Sequence, residues 1–377
     1  MLSVAMVVKN EVLTIEETIK SIRDHADEIV IGVDSESSDG TLDIAKRLGD
    51  KVITIYLSEE LDKKGPKNEG DTEWGFSRAR NIVLDACDQS NWHLTLDGHE
   101  KVVRPEEVKG AVEEAIEKGH DGIETMILFE PDASGIPRQM YRQSRVFAPT
   151  VRYNNPLHNV PIVKSSMFSK LFKIEHRKQD QAIESKSDRD AQRSDSTING
   201  FLQEIEKNPG NSRSWFYLGN AYKENARWQE AIDAYTHYLT IAVWKEERWH
   251  ARVNMGVCYD RTGDPVNTRE QYVKALDEFH GMAEVYCSLG ELAYKQERFI
   301  EAQVWLEACI DMPVPECRLF VNPRVYLVDR YDKLSMTYNH LGRYQDAADM
   351  AERALESVQD SRIANNVKCW KKALSKR

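Results

Sequence analysis

At 377 residues the chain exceeds the size at which a single hydrophobic core usually stops growing, so two domains are expected, each long enough to bury a core. Its 41% hydrophobic and 30% charged residues are those of an ordinary globular protein. A formal net charge of -11 with a pI near 5.5 gives no general attraction to nucleic acid or an anionic membrane, so a nucleic-acid acceptor is disfavoured.

From residue 1 to about 153, short β-rich runs alternate with amphipathic segments, the pattern of a layered sheet with crossover helices. The start, MLSVAMVVKNE, lacks the basic opening of a secretory leader, and no apolar run approaches the roughly 20 residues that span a bilayer, so a cytoplasmic protein is expected. Strands are expected over 2–8, 28–33, 51–57, 92–96 and 122–129. A helix over 12–25 would bury Leu13, Ile15, Ile19 and Ile22. Asp39 is placed to cap a helix over 41–48, because its carboxylate can accept amides of the first turn. The polar stretch 58–75 reads as a long loop of the kind that carries function. RQMYRQSRVF alternates like a strand, and 165–196 reads as a charged, partly helical linker with few apolar positions. The cysteines, Cys87, Cys258, Cys287, Cys309, Cys317 and Cys369, form no CxxC pairs and read as small core residues.

Beyond 196 the sequence is helical and self-similar. Trp215, Leu218, Gly219, Tyr222, Ala231 and Tyr235 fall at the spacings of a tetratricopeptide unit, where small residues let two helices approach and aromatics fill the gaps. Met255, Gly256, Tyr259, Gly263, Tyr272 and Ala275 repeat the pattern, as do Tyr286, Leu289, Gly290, Ala302 and Leu306. A weaker fourth copy holds Tyr331, Leu334, Tyr338, Gly342, Ala347 and Ala354. Gly256 follows Gly219 by 37 residues and Gly290 follows Gly256 by 34, close to the unit length. Such arrays curve and offer a concave face to a partner.

The chemistry-bearing residues gather at the carboxyl ends of the expected strands, the edge where open α/β sheets bind ligands. Asp34 and Asp39 follow the second strand, and Asp34 could accept hydrogen bonds from a base or ribose. LTLDGHE puts Asp97, His99 and Glu100 after an apolar strand, and extended backbone would aim Asp97 and His99 to one side, where they could share a divalent ion. WGFSRARN opens a helix carrying Arg78 and Arg80, which could reach a pyrophosphate or form a solvated basic face. Arg145, His158 and His176 lie further on.

In order, VVKNE, VDSESSDGT, FSRARN, LTLDGHE, SRVF, NPLHN and IEHRK resemble the motifs of family 2 glycosyltransferases of the GT-A fold. More narrowly the chain looks like a bacterial and phage branch in which such a domain precedes tetratricopeptide repeats, the branch that includes bacteriocin S-glycosyltransferases. The resemblance implies an α/β nucleotide-sugar-binding domain over 1–164, a connector over 165–196 that closes the active site, and an all-α repeat domain over 197–377. It matches Asp34 to a base-contacting aspartate, places Asn10-Glu11 and Asp39 in the flanking turns, and matches Asp97 and His99 to the DxD motif that holds a cation against the diphosphate. Histidine in place of the second acid suits manganese better than magnesium. His176 matches a histidine closing the metal or diphosphate site, and Asn159 stands where a Glu would follow His158.

What the resemblance implies is an inverting, metal-dependent hexosyltransferase using a nucleoside-diphosphate sugar, UDP-sugar favoured; Arg78, Arg80 and Arg145 would steady the diphosphate, and of the acids near the expected cleft, Glu100, Glu130 and Asp132, Glu100 is the preferred catalytic base. The repeats would hold a protein or peptide acceptor, or join copies into a homo-oligomer. Removing everything after about 196 is expected to spare donor hydrolysis. The competing reading is a non-catalytic adaptor with a degenerate glycosyltransferase domain. A nucleotidyltransferase should carry a glycine-rich phosphate loop near the N-terminus, and VVKNEVLTIEE has none.

Overall fold

The structure, a computed structural model, describes residues 1–57, 76–154, 160–177 and 186–375. The chain divides into two compact units: Met1–Gln179 with Glu316–Phe320, and Asp180–Pro315 with Val321–Arg377.

In the first unit, β1 (Leu2–Val8), β2 (Glu28–Asp34), β3 (Lys51–Ile55) and β4 (Trp92–Asp97) pair in parallel in the order β3-β2-β1-β4. Beyond β4 the sheet becomes mixed. β5 (Glu100–Val103), β6 (Gly122–Pro131), β7 (Pro137–Phe147) and β10 (Ser166–His176) continue it in the order β7-β6-β10-β5, with β7 antiparallel to β4 and β6, and β10 parallel to β6 but antiparallel to β5. A small ribbon joins β8 (Tyr153–Asn154) to β9 (Val160–Pro161).

The β1 strand shows why this sheet is covered on both faces. Leu2, Val4, Met6 and Val8 point into one core with Ile15, Ile19 and Ile22 of α1 (Ile15–Ile22), Ala45 of α2 (Thr41–Leu48) and Val108, Ala111, Val112 and Ala115 of α4 (Glu107–Glu117). Ala5, of opposite parity, packs into a second core with Ala79 and Val83 of α3 (Phe76–Ala86).

Two expectations are corrected. The first helix is shorter than 12–25, and Leu13 precedes it with 69% of its surface exposed. The stretch 165–196 is not a linker throughout, since its first third is β10, with Phe172 and Ile174 fully buried. Lysines between those apolar positions hide a strand that is wet on part of one side.

The second unit begins with α5 (Lys186–Lys207), which ends just before Asn208-Pro209. Four helix pairs follow: α6 (Ser212–Glu224) with α7 (Trp228–Ile241), α8 (Lys245–Arg261) with α9 (Pro265–Glu278), α10 (Ala283–Lys295) with α11 (Phe299–Glu307), and α12 (Arg330–His340) with α13 (Tyr344–Leu355). They are succeeded by α14 (Ser361–Leu374). A Cβ on Gly219 would lie 2.5 Å from Tyr235, one on Gly256 2.4 Å from Tyr272 and one on Gly290 2.6 Å from Leu306, so each pair closes on a missing side chain. At the matching positions of the fourth pair stand Ser335 and Ala351, both fully buried. The turn within each pair passes through one left-handed residue, Ala226, Gly263, Glu297 and Gly342 in order. No helix among the described residues is long and apolar enough to cross a membrane. Cys87, Cys258, Cys287 and Cys309 are buried, Cys317 is half-buried and Cys369 is exposed.

Candidate active site

The turns after β1 and β2 are knitted together by short polar side chains. Asn10, held at φ 54°, accepts the Ser38 amide at 2.9 Å, and Ser37 Oγ accepts the Asn10 amide at 3.0 Å. The Glu11 amide donates to Thr41 Oγ1 at 2.7 Å. Asp39 accepts the amide of Val12 on one oxygen and the amide and hydroxyl of Thr41 on the other, at 3.0, 3.0 and 2.5 Å. Burial opposes its charge, but these bonds from Thr41 and Val12 outweigh it and hold the carboxyl below its ordinary range. Asp39 thus takes the first amide of α2 and also ties that helix to the neighbouring turn. Asp34 is buried, with one oxygen accepting the Glu36 amide at 2.8 Å and the other the Leu57 amide at 3.0 Å. A base or ribose would have to share those oxygens.

The register brings the metal candidates to one place. Asp97 ends β4, His99 lies in the tight turn to β5, and His176 ends β10 directly opposite Glu100. One ligand atom from each of Asp97, His99 and His176 lies within 4.8 Å of the other two. The His99 and His176 rings meet edge to face at 4.4 Å, and His176 stacks on Phe129 at 4.6 Å. Each imidazole has a carboxylate at Nδ1: Glu11 lies 2.9 Å from His99 and Glu100 3.3 Å from His176. Glu11 also accepts the Thr14 hydroxyl at 2.8 Å. His99 Nε2 is buried and has no hydrogen-bond partner. Gly98 makes this possible through space rather than turn geometry, because a Cβ there would sit 2.7 Å from Glu11 Cγ.

A carboxylate and two imidazoles with one buried nitrogen unused form a donor set that fits a divalent ion. Asp97 pairs with Arg80 Nη2 through one oxygen at 2.9 Å. Burial works against its charge, yet Arg80, Arg145 and His99 prevail and hold its carboxyl far below the usual range.

Several expected roles change. Glu100 is buried and occupied: one oxygen accepts the Asp97 amide at 2.8 Å, the other Arg145 Nη2 at 2.6 Å as well as facing His176. It anchors the centre and is not open to deprotonate an acceptor. Arg145 is buried too, bonded to Glu100 and to Gln143 at 3.0 Å, so it is a structural partner of Glu100 instead of a diphosphate ligand. Asp132 accepts the amides of Ser134 and Ile136 at 2.8 and 3.0 Å, closing the turn between β6 and β7. Glu130, at the end of β6, is half-buried, holds φ 46° and pairs with the exposed Arg138 at 3.1 Å. Arg78 is half-buried on α3, and Arg80 packs against the Tyr153 ring at 5.3 Å. His158 and the loop 58–75 lie outside the described residues. Glu11 as a partner of His99 was not anticipated, since nothing in VVKNE alone points to a histidine so far along the chain.

Residues 3–174 match the model of glycosyl transferase family 2, and residues 201–233, 283–313 and 327–359 match models of the tetratricopeptide repeat. Over 102 residues the chain is 46% identical to an uncharacterized glycosyltransferase of Rickettsia bellii (strain RML369-C), a stretch covering 27% of this chain and 28% of that protein. Over 113 residues it is 26% identical to the photosystem I assembly protein Ycf3 of Prochlorococcus marinus (strain MIT 9211), covering 28% of this chain and 65% of that one. The chain therefore spans less than two thirds of either relative. Among solved structures, MamA matches 47% of this chain and 95% of its own at 16% identity and a TM-score of 0.38. YrrB, described as a TPR protein with an unusual peptide-binding site, matches 48% of this chain and 85% of its own at 14% identity and a TM-score of 0.37. The family match over the α/β unit, joined to three repeat matches in the helical one, shows that this chain carries a family 2 glycosyltransferase domain followed by tetratricopeptide repeats.

Proposed function

We propose that this protein transfers a sugar from a nucleoside diphosphate, UDP favoured, to a protein or peptide held by the repeats, inverting the anomeric centre, with a divalent ion such as manganese at Asp97, His99 and His176. The observation that carries the reading is the buried, unpartnered Nε2 of His99 beside Asp97 and His176, each ring steadied at Nδ1 by a carboxylate. When bound, the ion would offset the charge that develops on the departing diphosphate.

The chain's own groups supply the rest. Arg80 keeps Asp97 ionised and adds positive charge beside it. Glu100 holds the Asp97 backbone and the His176 ring in one bonded cluster with Arg145. Of the three acids considered as base, Glu130 is favoured, because Glu100 is occupied and Asp132 closes a turn. Glu130 adjoins Phe129, whose ring covers His176, and its left-handed backbone conformation is of the sparsely populated kind that clusters at functional sites.

The test is a donor screen on the full chain, measuring hydrolysis of UDP-glucose, UDP-galactose, UDP-N-acetylglucosamine and GDP-mannose with manganese, alongside manganese binding followed by electron paramagnetic resonance. His99→Ala should abolish turnover and manganese binding while melting stays near wild type; Asp97→Asn should abolish both as well, and lower the melting temperature because Arg80 then loses its ion partner. If an intact fold binds none of the donors, the enzyme reading fails and the adaptor reading takes its place.

A further inference from the structure

The third helix pair carries two cysteines on its seam. Gly290 of α10 closes on Leu306 of α11, and because a short turn makes the two helices antiparallel, positions stepped equally in opposite directions stay opposite one another. Cys287 lies three positions before Gly290, and Cys309 three after Leu306. The first pair shows that this step keeps contact: Phe216, three before Gly219, and Tyr238, three after Tyr235, have ring centroids 5.4 Å apart. In the third pair the same step sets sulfur against sulfur, and the Cys287 thiol donates a hydrogen bond to Cys309 Sγ. Cys309 is fully buried and Cys287 is 3% exposed.

Arg330, the first residue of α12, lies against the same turn. Its Nη1 donates to the carbonyls of Cys309 and Met312 at 2.8 and 2.7 Å, and its Nη2 to the Tyr331 hydroxyl at 3.0 Å. Its Nε is buried and has no hydrogen-bond partner. Each of those acceptors is neutral, and no carboxylate among the described residues comes within ion-pair distance. A guanidinium taken out of water without an anion is costly. A Cys309 thiolate supplies negative charge beside it. The hydrogen bond from Cys287, with the Arg330 charge behind it, outweighs burial and holds the Cys309 thiol below its ordinary value. Cys87 and Cys258 show the contrast, since burial pushes their thiols up to about 12 and about 11.

We propose that Cys287 and Cys309 form a reversible oxidation site, at which hydrogen peroxide converts the two thiols into a disulfide that joins α10 to the turn after α11. The Cys309 thiolate attacks one peroxide oxygen: an S–O bond forms, the O–O bond breaks, and the hydroxide that leaves takes up the proton Cys309 had shed, giving water. The Cys287 sulfur then attacks the sulfur of the Cys309 sulfenic acid. An S–S bond forms, the S–O bond breaks, and hydroxide departs with the Cys287 proton as a second water. The two sulfurs have given two electrons to the two peroxide oxygens. Cys309 lies in the turn after α11, between exposed Ala308 and half-buried Ile310, so local opening of that turn admits an oxidant as small as peroxide. The site lies in the repeats and does not depend on the sugar-transfer reading.

The experiment uses the full chain with the exposed thiol removed by Cys369→Ser, reduced, freed of reductant and treated with hydrogen peroxide. Thiols counted in denaturant should fall from the five left of the six cysteines to three. The mass should drop by two hydrogens, and digestion should give one linked peptide holding Cys287 and Cys309. Dithiothreitol should reopen the link. It should form at least about tenfold faster than any oxidation of Cys258. The rate should rise with pH and level off at a lower pH than that of an unstructured cysteine peptide, because the attacking thiol ionises more readily. Two variants assign the roles. In Cys287→Ser, dimedone should trap a sulfenic acid on Cys309, and in Cys309→Ser it should label Cys287 at least about tenfold more slowly. Five thiols persisting under an exposure that oxidises Cys369 in the unsubstituted chain, a link that joins other cysteines, or faster labelling of Cys287 than of Cys309 overturns the proposal.

Discussion

Glu11 stands in the turn after β1, yet its main partner is His99, 88 positions along the chain. A carboxylate on Nδ1 fixes which nitrogen an imidazole presents, so Glu11 sets His99 Nε2 free for an ion and holds the ring still. Glu11→Gln is therefore expected to lower manganese affinity by about tenfold to a hundredfold with melting near wild type, as paramagnetic resonance would report. Unchanged affinity would cut the link between Glu11 and the ion. Residue types in LTLDGHE, and the resemblance at IEHRK, singled out Asp97, His99 and His176, which the fold brings together. What was not legible is which charged groups neutralise one another in the fold: Glu100 and Arg145 read as base and phosphate ligand, whereas burial makes them partners. A second residue-scale expectation concerns His250, whose pKa is pushed down to about 3, first by burial and then by the Lys223 charge. The folded state keeps this ring neutral while the unfolded chain protonates it below its ordinary 6.5, so the ring's contribution to stability is full above that value and lost as pH falls toward 3. In urea unfolding between pH 7 and 5, His250→Gln should lose less stability than wild type; an equal loss would show that the ring titrates normally.

Among the elements, the helix pairs interlock by a repeated exchange of size, with a glycine on the first helix facing a large side chain sixteen positions on. Gly256→Ala would drive a methyl to 2.4 Å from Tyr272, whose ring is 5% exposed and has nowhere to retreat. The expected loss is about 1–3 kcal/mol in urea unfolding. Ser335→Ala, in the pair where the residue sixteen positions on is the small Ala351, should cost less; equal costs would show that the glycine contact does not set the approach of the helices. The same logic explains what could be read in advance. The repeats were legible because each pair restates the pattern, and β1, β2 and β4 because their apolar runs are buried on both faces. The β10 strand was not, because Lys170 and Lys173 flank the inward Phe172 and Ile174, and a single half-wet strand carries no second copy to confirm it.

At the scale of the whole molecule, the compact N-terminal unit is not contiguous in sequence. Glu316–Phe320, from the insertion between α11 and α12, belongs to it. Glu124 of β6 is 3% exposed and accepts from Arg142 at 2.6 and 3.0 Å, from Ser166 at 2.9 Å and from Arg318 of that segment at 2.6 Å. The Cys317 carbonyl accepts the Arg142 amide at 2.9 Å, and Phe320 meets Tyr141 edge to face at 4.8 Å. Burial disfavours the Glu124 charge, and Arg318, Arg142 and Ser166 together overcome it and lower its pKa. A chain ended at Gln179 keeps the buried carboxylate but loses Arg318, Phe320 and the Cys317 carbonyl. It is therefore expected to melt below the corresponding transition of the full chain. Arg318→Ala in the full chain should reproduce part of the loss, about 1 kcal/mol given the exposure of that arginine. Glu124→Gln in the shortened chain should recover some of it, because a neutral amide needs one cation fewer. Calorimetry on the four proteins decides the matter. Equal melting of the shortened and full chains would mean that the segment rests on the sheet without stabilising it, whereas a loss that Glu124→Gln does not narrow would assign the effect to Phe320 and the backbone bond instead of to the buried charge.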